Sequence, residues 1–251
     1  VKQRMEQGFE LDSLTVIPGS LFAGLSRQRF TDENVRNISQ ISGVEVATQV
    51  MQIGNVTLHK GDNEVRAFVA TAVNFTEFVQ VFPDRFVFET VNGSPDQWKN
   101  NTIVIGYKVN HPNETETPFA TAGDNIIMTF MKSLYVRETR NFTVVGTLQK
   151  RGTPGLTNFD YWVFIPLDTA REIYGPPYES DLIFVKISNP NDSDAISNDI
   201  EALFPPYRIS ILAPMTFIRQ VDYILSLIQL FLTSVASISL LVAGIGIMNI
   251  T

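Results

Sequence analysis

Cysteine is absent from the 251 residues. That excludes disulfide scaffolds, thiolate nucleophiles, thiol redox chemistry and cysteine-based zinc sites. Histidine occurs only at His59 and His111, too far apart in sequence for a histidine-rich metal motif. A cationic excess is also missing, since 19 Lys+Arg stand against 26 Asp+Glu for a net charge of −7. Phosphate backbones are bound by clustered cations, so no nucleic-acid partner is expected. The sequence contains no Gly-x-Ser-x-Gly nucleophile motif and no Gly-x-x-x-x-Gly-Lys-Ser/Thr phosphate loop. Gly244-Ile245-Gly246 lacks the third glycine of a dinucleotide fingerprint. No catalytic constellation emerges, and the chain reads as a non-enzyme with no cofactor and no metal site of its own. Asp192, Asp194, Asp199 and Glu201 lack the glycine and terminal glutamate of a calcium loop and read as helix caps and a solvated face.

Charge is missing altogether from one stretch. After Asp222 there is no Asp, Glu, Lys or Arg through Thr251. A membrane span needs about 20 mostly apolar residues, and this run is longer. Asp222, Ser226, Gln229, Thr233 and Ser237 recur at steps of four, three, four and four, one face of a helix. Ile224, Leu225, Ile228, Phe231, Leu232 and Val235 cover the other sides. The spacing predicts one long helix that leaves a folded domain with a polar seam and enters the bilayer near Ser234 to Ser239. Small residues at Gly244 and Gly246 suit close helix approach. The chain begins with Val1 and stops inside the apolar run, as an excised piece of a longer membrane protein would.

With hydrophobic residues at 44% and charged residues at 18%, the rest reads as ordered and core-forming. Asn-x-Ser/Thr occurs at Asn37, Asn55, Asn74, Asn92, Asn100, Asn113, Asn141 and Asn191, and again at Asn249 within the apolar run. From the 17 Asn and the Ser and Thr content, chance gives roughly two or three such acceptors. The excess points to an extracytoplasmic, glycosylated face.

Local pattern predicts a helical end over 1–11 and a strand from Ser13 to Ile17, closed by Pro18-Gly19. A helix follows from Thr31, with Asp32 and Glu33 in its first turn, and then a strand over 44–53. Strands over 56–59 and 64–73 flank a turn at Lys60-Gly61-Asp62-Asn63. Residues 75–82 read as a short helix. Strands are expected near 102–106, 126–130, 142–148 and 161–166, with a loop over 151–155. Asp168 is read as the cap of a helix that Gly175 ends. A second strand–helix–strand unit occupies 182–212. His59 and His111 read as surface residues. The phenylalanines read mostly as core, with Phe78, Phe82, Phe86 and Phe88 as candidates for an apolar groove. The expected class is α+β: a split α/β subdomain interrupted by a β-rich one and followed by a long C-terminal helix. The boundaries are 1–11 (end of a first stalk helix), 12–55 with 182–214 (α/β), 56–181 (β-rich) and 215–251 (stalk and partial span).

Leu240-Leu-Val-Ala-Gly-Ile-Gly-Ile-Met-Asn-Ile250 resembles the start of the second transmembrane helix of MacB/FtsX-type ABC transporter permeases. Leu14–Ser20, Thr31–Val35, Ile41–Val46, Gly123–Ile126, Phe142–Gly146 and Asp160–Ala170 resemble further family segments in the same order. The resemblance implies a porter-like subdomain for the split α/β part. It also implies a multi-pass permease of the cell membrane that works as a homodimer with a separate cytoplasmic ABC ATPase, where ATP is bound. Motion would pass along stalk helices to this external domain, for export or mechanotransmission. A ligand-sensing ectodomain of a membrane receptor is the alternative. A membrane-anchored enzyme has no residues to support it.

Overall fold

A computed structural model describes residues 10–20, 24–25, 29–114, 117–133, 135–151 and 158–248. The helical end expected over 1–11 lies outside the described residues, except for Glu10 and Leu11, which lead by a turn into the first strand. Most of the loop expected at 151–155 lies outside them as well, as does Asn249. The chain divides at Ala213 into a mixed α/β domain and a single long helix, each described by itself.

β1 (Ser13–Ser20) is followed by two short strands, β2 (Gly24–Leu25) and β3 (Phe30–Thr31). Thr31 caps α1 (Asp32–Ser39). Its Oγ1 accepts from the Asn34 N–H at 3.4 Å, and Asn34 Oδ1 accepts from the Thr31 N–H at 2.9 Å, a reciprocal capping box. β4 (Val44–Ile53) and β5 (Val56–Lys60) come next, and a turn at Gly61-Asp62 leads into β6 (Asn63–Ala67). The strand expected over 64–73 is broken at Phe68, whose N–H bonds to Tyr161 O at 3.0 Å, and resumes as β7 (Val69–Val73). Asn74 Oδ1 accepts from the Thr76 and Glu77 N–H groups and caps α2 (Phe75–Val81).

β8 (Phe88–Val91), β9 (Thr102–Ile105) and one turn of α3 (Tyr107–Asn110) precede the long hairpin of β10 (Asn125–Ser133) and β11 (Val136–Leu148). β12 (Trp162–Pro166) leads directly into α4 (Leu167–Tyr174). Asp168 is not its cap. Pro166 holds that position with no side-chain bond, because the strand runs up to it, and Asp168 lies in the first turn. There it still meets the positive end of the helix dipole. The remaining elements are β13 (Glu179–Ser180), β14 (Leu182–Ile187), α5 (Ser193–Ala202), β15 (Ile209–Leu212) and α6 (Pro214–Met248).

The strand order is β15-β1-β14-β4-β7-β12-β9-β11-β10-β5-β6. The two distant segments 13–53 and 182–212 thus supply four neighbouring strands, the split α/β arrangement expected. Pro18 does not close β1 because β14 pairs only as far as Val16, leaving β15 as the partner at that point. A proline is tolerated where one side of a strand has lost its ladder.

The pairings also close a ring. Residues 44–60 and 63–73 form one long hairpin, bent at Gly54-Asn55 on one arm and at Phe68 on the other. Its lower half pairs β4 with β7 (Val50↔Val73 to Ile53↔Ala70) and its upper half pairs β5 with β6 (Val56↔Ala67 to Lys60↔Asn63). β7 continues to β12, β9, β11 and β10, and β10 returns to β5 through Met128↔Leu58. Alternate residues point inward along every strand. Ile53, Leu58, Ile103, Ile105, Met128, Phe130, Phe142, Val144, Val163 and Ile165 therefore meet in one buried core.

Outside that ring α2 packs an aromatic cluster built from Phe75, Phe78, Phe82, Phe86, Trp98, Phe159, Phe164 and Phe184. Phe78, Phe82 and Phe86 are buried and Phe88 packs at the margin, so these residues form core and not a groove. A third core joins α1 and α5 to β1 and β14 through Leu14, Val16, Ile38, Ile183, Val185, Ile196 and Ile200. Gly106 locks α3 against β12. A Cβ there would lie 2.3–2.7 Å from the carbonyl oxygens of Phe159, Asp160 and Trp162.

Candidate functional site

Three helix or strand ends converge on an open cleft of about 970 Å³, bounded by α1, the β7–α2 junction, residues 95–100 and the β12–α4 junction. Its fixed point is Asp32, whose Oδ1 accepts from Gln49 Nε2 at 2.7 Å and from Arg171 Nη2 at 2.5 Å. The Arg171 guanidinium also lies 5.3 Å from the Tyr178 ring centroid. Arg36, Lys99 and Arg171 line it together with Asp32, Glu77, Asp96 and Asp168, and among the described residues the lining contains no serine or histidine. Such a surface suits polar, mixed-charge ligands. Among the described residues no group of three His, Asp or Glu is placed to hold a metal ion.

Two charge clusters escaped the sequence reading. His111, expected at the surface, is buried, with Nε2 3.0 Å from Glu89 Oε2 and its ring stacked on Tyr107 at 4.6 Å. The spacing of Tyr107 and His111, four apart across one turn, was the available sign; Glu89 is remote in sequence and gave none. Glu114 accepts from Lys108 Nζ at 2.5 Å and Lys150 Nζ at 3.0 Å. Hydrogen bonds from those two ammonium groups, with their charge, pull its carboxyl down to about 2. Its folded value lies below the ordinary 4.5, so any stabilisation it contributes is present above that value and is lost as pH falls through about 2. A carboxyl-shift titration should find Glu114 ionised at pH 3, and Lys108→Gln should move its midpoint upward; an ordinary midpoint in the unaltered protein would refute the cluster.

The start of β1 is pinned from two sides. Glu10 Oε2 pairs with Arg85 Nε at 2.6 Å, and Asp12 Oδ2 with Lys186 Nζ at 3.0 Å. Burial raises the Glu10 carboxyl, against the lowering pull of Arg85. Arg85 lies 5.6 Å from the Phe159 ring centroid and 6.0 Å from that of Phe82, so the pair clamps the chain to the aromatic cluster.

The acceptor asparagines are dispersed. Asn37, Asn55, Asn74, Asn92, Asn100, Asn141 and Asn191 are exposed, and Asn113 lies in the 3₁₀ turn Pro112–Glu114. Asn74 and Asn100 stand on the cleft. The structure does not gather the eight into one site.

α6 is a continuous helix of 35 residues, about 52 Å long at ~1.5 Å per residue. Over Pro214–Ala243 its most apolar stretch has a mean hydropathy of 2.1, with none of it buried. It is the one helix among the described residues long and apolar enough to cross a membrane. Asp222, Ser226, Gln229, Thr233 and Ser237 all lie exposed on it. Ser226 Oγ donates to Asp222 O and Ser237 Oγ to Thr233 O, each at 2.8 Å. Ser234 and Ser239 donate in the same way to Leu230 O and Val235 O. These hydroxyls satisfy their donors within the helix, so they present no orphan donor to an apolar medium.

A family described as the MacB-like periplasmic core domain matches residues 1–203. Over 115 residues the chain is 33% identical to the macrolide export ATP-binding/permease protein MacB of Brucella abortus, covering 43% of this chain and 18% of that protein. Over 243 residues it is 23% identical to an ABC transporter permease of Methanocaldococcus jannaschii, covering 95% of this chain and 57% of the relative. The chain thus spans a minor part of the first relative and little over half of the second. In fold it is similar to the periplasmic region of MacB from Actinobacillus actinomycetemcomitans, with a TM-score of 0.60, 15% identity, and coverage of 88% of this chain and 98% of that one. The extracellular domain of the noncanonic ABC-type transporter YknZ from Gram-positive bacteria gives a TM-score of 0.57 at 10% identity, covering 80% and 99%.

Proposed function

The chain belongs to the family of MacB-like periplasmic core domains of ABC transporter permeases, and from that premise we propose that it couples ATP hydrolysis by a separate cytoplasmic ATPase to export or mechanotransmission across the membrane. The observation that carries the reading is α6, a helix whose most apolar stretch is uncovered and which starts directly after β15 of the family fold. A lever of this kind needs a rigid body at its outer end. The closed strand ring and the clamped start of β1 supply one.

In this reading residues 12–55 and 182–214 form the porter-like subdomain, 56–181 the inserted one and 215–251 the stalk with part of the span. The whole protein is a multi-pass membrane permease, acts as a homodimer, and leaves ATP to its partner. The exposed acceptor asparagines face an extracytoplasmic glycosylation machinery. The full-length protein should co-purify with an ABC ATPase and raise its hydrolysis rate; failure of both would refute the coupling. The polar cleft beside Asp32 favours a second reading, ligand sensing. That reading requires a signalling module downstream of residue 251 where the first requires further spans.

A further inference from the structure

The bend in the long hairpin sets Asn55 and Phe68 opposite each other. Ile53↔Ala70 and Val56↔Ala67 are paired, so Asn55 and Phe68 occupy opposite corners of the same bend. Phe68 is 79% exposed between Ala67 and Val69, both buried. Its N–H bonds to Tyr161 O at 3.0 Å, which holds the backbone of the bend at the residue that carries the exposed ring. A single exposed aromatic is common on protein surfaces and by itself indicates nothing. Here it shares an open cleft of about 600 Å³ with Asn55, Thr57, Met131 and Arg137. Asn55-Val56-Thr57 is an acceptor sequon, and Asn55 is exposed.

We propose that Asn55 is N-glycosylated and that the first sugar of its glycan seats in this cleft with its C–H face on the Phe68 ring. A pyranose has one face of C–H groups and a rim of hydroxyls. The aromatic face takes the first, and the Arg66 and Arg137 guanidinium groups lining the cleft can donate to the second. The donor is a lipid-phosphate-linked saccharide. Asn55 Nδ2 bonds to the anomeric carbon and the C1–O bond to the lipid phosphate breaks. The phosphate leaves with the electron pair, and one Nδ2 proton passes to base. The inference rests on the extracytoplasmic reading above.

Asn55 also has a φ of 56°, a conformation asparagine tolerates better than most residues, so its identity alone could reflect the bend. Thr57→Val separates the two roles, because it removes the sequon, keeps Asn55 and retains a β-branched strand residue.

Full-length protein from its native host is digested for glycopeptide mass spectrometry, all eight sequons being read together, with sidedness checked by external protease. Asn55 should be occupied, and Thr57→Val should remove that glycan alone. Phe68→Ala should lower the melting midpoint by about 2–4 °C in the glycosylated protein and have no effect in the Thr57→Val background. A bare Asn55 beside occupied sequons would overturn the proposal and leave the extracytoplasmic reading standing. Bare sequons throughout would overturn it too, with external protease deciding whether the sidedness falls as well. An occupied Asn55 with equal Phe68→Ala effects in both backgrounds would overturn the seating on the ring.

Discussion

Phe78→Ala should cost the domain about 3–5 kcal/mol, the range for deleting a buried phenylalanine side chain. Phe78 is fully buried at the centre of the aromatic cluster. Its ring centroid lies 5.1 Å from Phe82, 5.6 Å from Phe86, 5.5 Å from Phe159 and from Phe164, and 5.9 Å from Phe184. With Phe78 itself on α2, those partners come from the C-cap of α2 and the segment after it, the turn before β12, β12 itself and β14. One truncation therefore opens a cavity shared by five segments, and rings fixed by one another cannot collapse into it cheaply. A domain stability is typically about 5–15 kcal/mol, so the loss is a large fraction of the total. The melting midpoint should fall by roughly 6–20 °C. Phe78→Leu keeps most of the volume and should fall by much less. Equal small shifts for both variants would show that the cluster is not a packed core.

The same cluster shows where sequence reading stops. The spacing of Phe75, Phe78 and Phe82 marks an apolar helix face, but whether that face meets a core or a groove depends on Phe159, Phe164 and Phe184, brought in from remote strands. The helix cap at Thr31 was legible because capping chemistry is local: Thr31 and Asn34 lie three residues apart. So was β4, whose bounds follow from apolar alternation and Gly43. The closure of the ring was not legible. It depends on β10 pairing with β5 and β12 with β7, and residues 64–73 alternate well enough to read as one strand despite the break at Phe68. Asp168 was misplaced as a cap because a strand that runs into Pro166 sets the helix start two residues earlier than the acidic residue suggests. In the cleft, Asp32 and Arg171 are 139 residues apart, and no spacing rule could have joined them.

Ser226→Pro should separate ATP hydrolysis from output in the full-length protein and leave the outer domain folded. In a helix the N–H at position 226 bonds to the carbonyl of residue 222. Proline removes that donor, and its ring strikes the same carbonyl, at a cost of about 3 kcal/mol or a kink. Ser226 lies well inside α6, four residues beyond the last charge at Asp222, where a kink would interrupt the lever proposed above. Ser226→Ala is the matched control: it deletes only the Oγ bond to Asp222 O at 2.8 Å and keeps the helix. Transport or signalling output in the proline variant should fall at least about tenfold, equivalent to ~1.4 kcal/mol of coupling. The ATPase should still bind and hydrolyse, and the melting midpoint of the outer domain should stay at the value of the alanine control. Wild-type output from the proline variant would mean that force does not travel through this helix. Loss of output in both variants would place the effect in the seam hydroxyl and not in helix continuity.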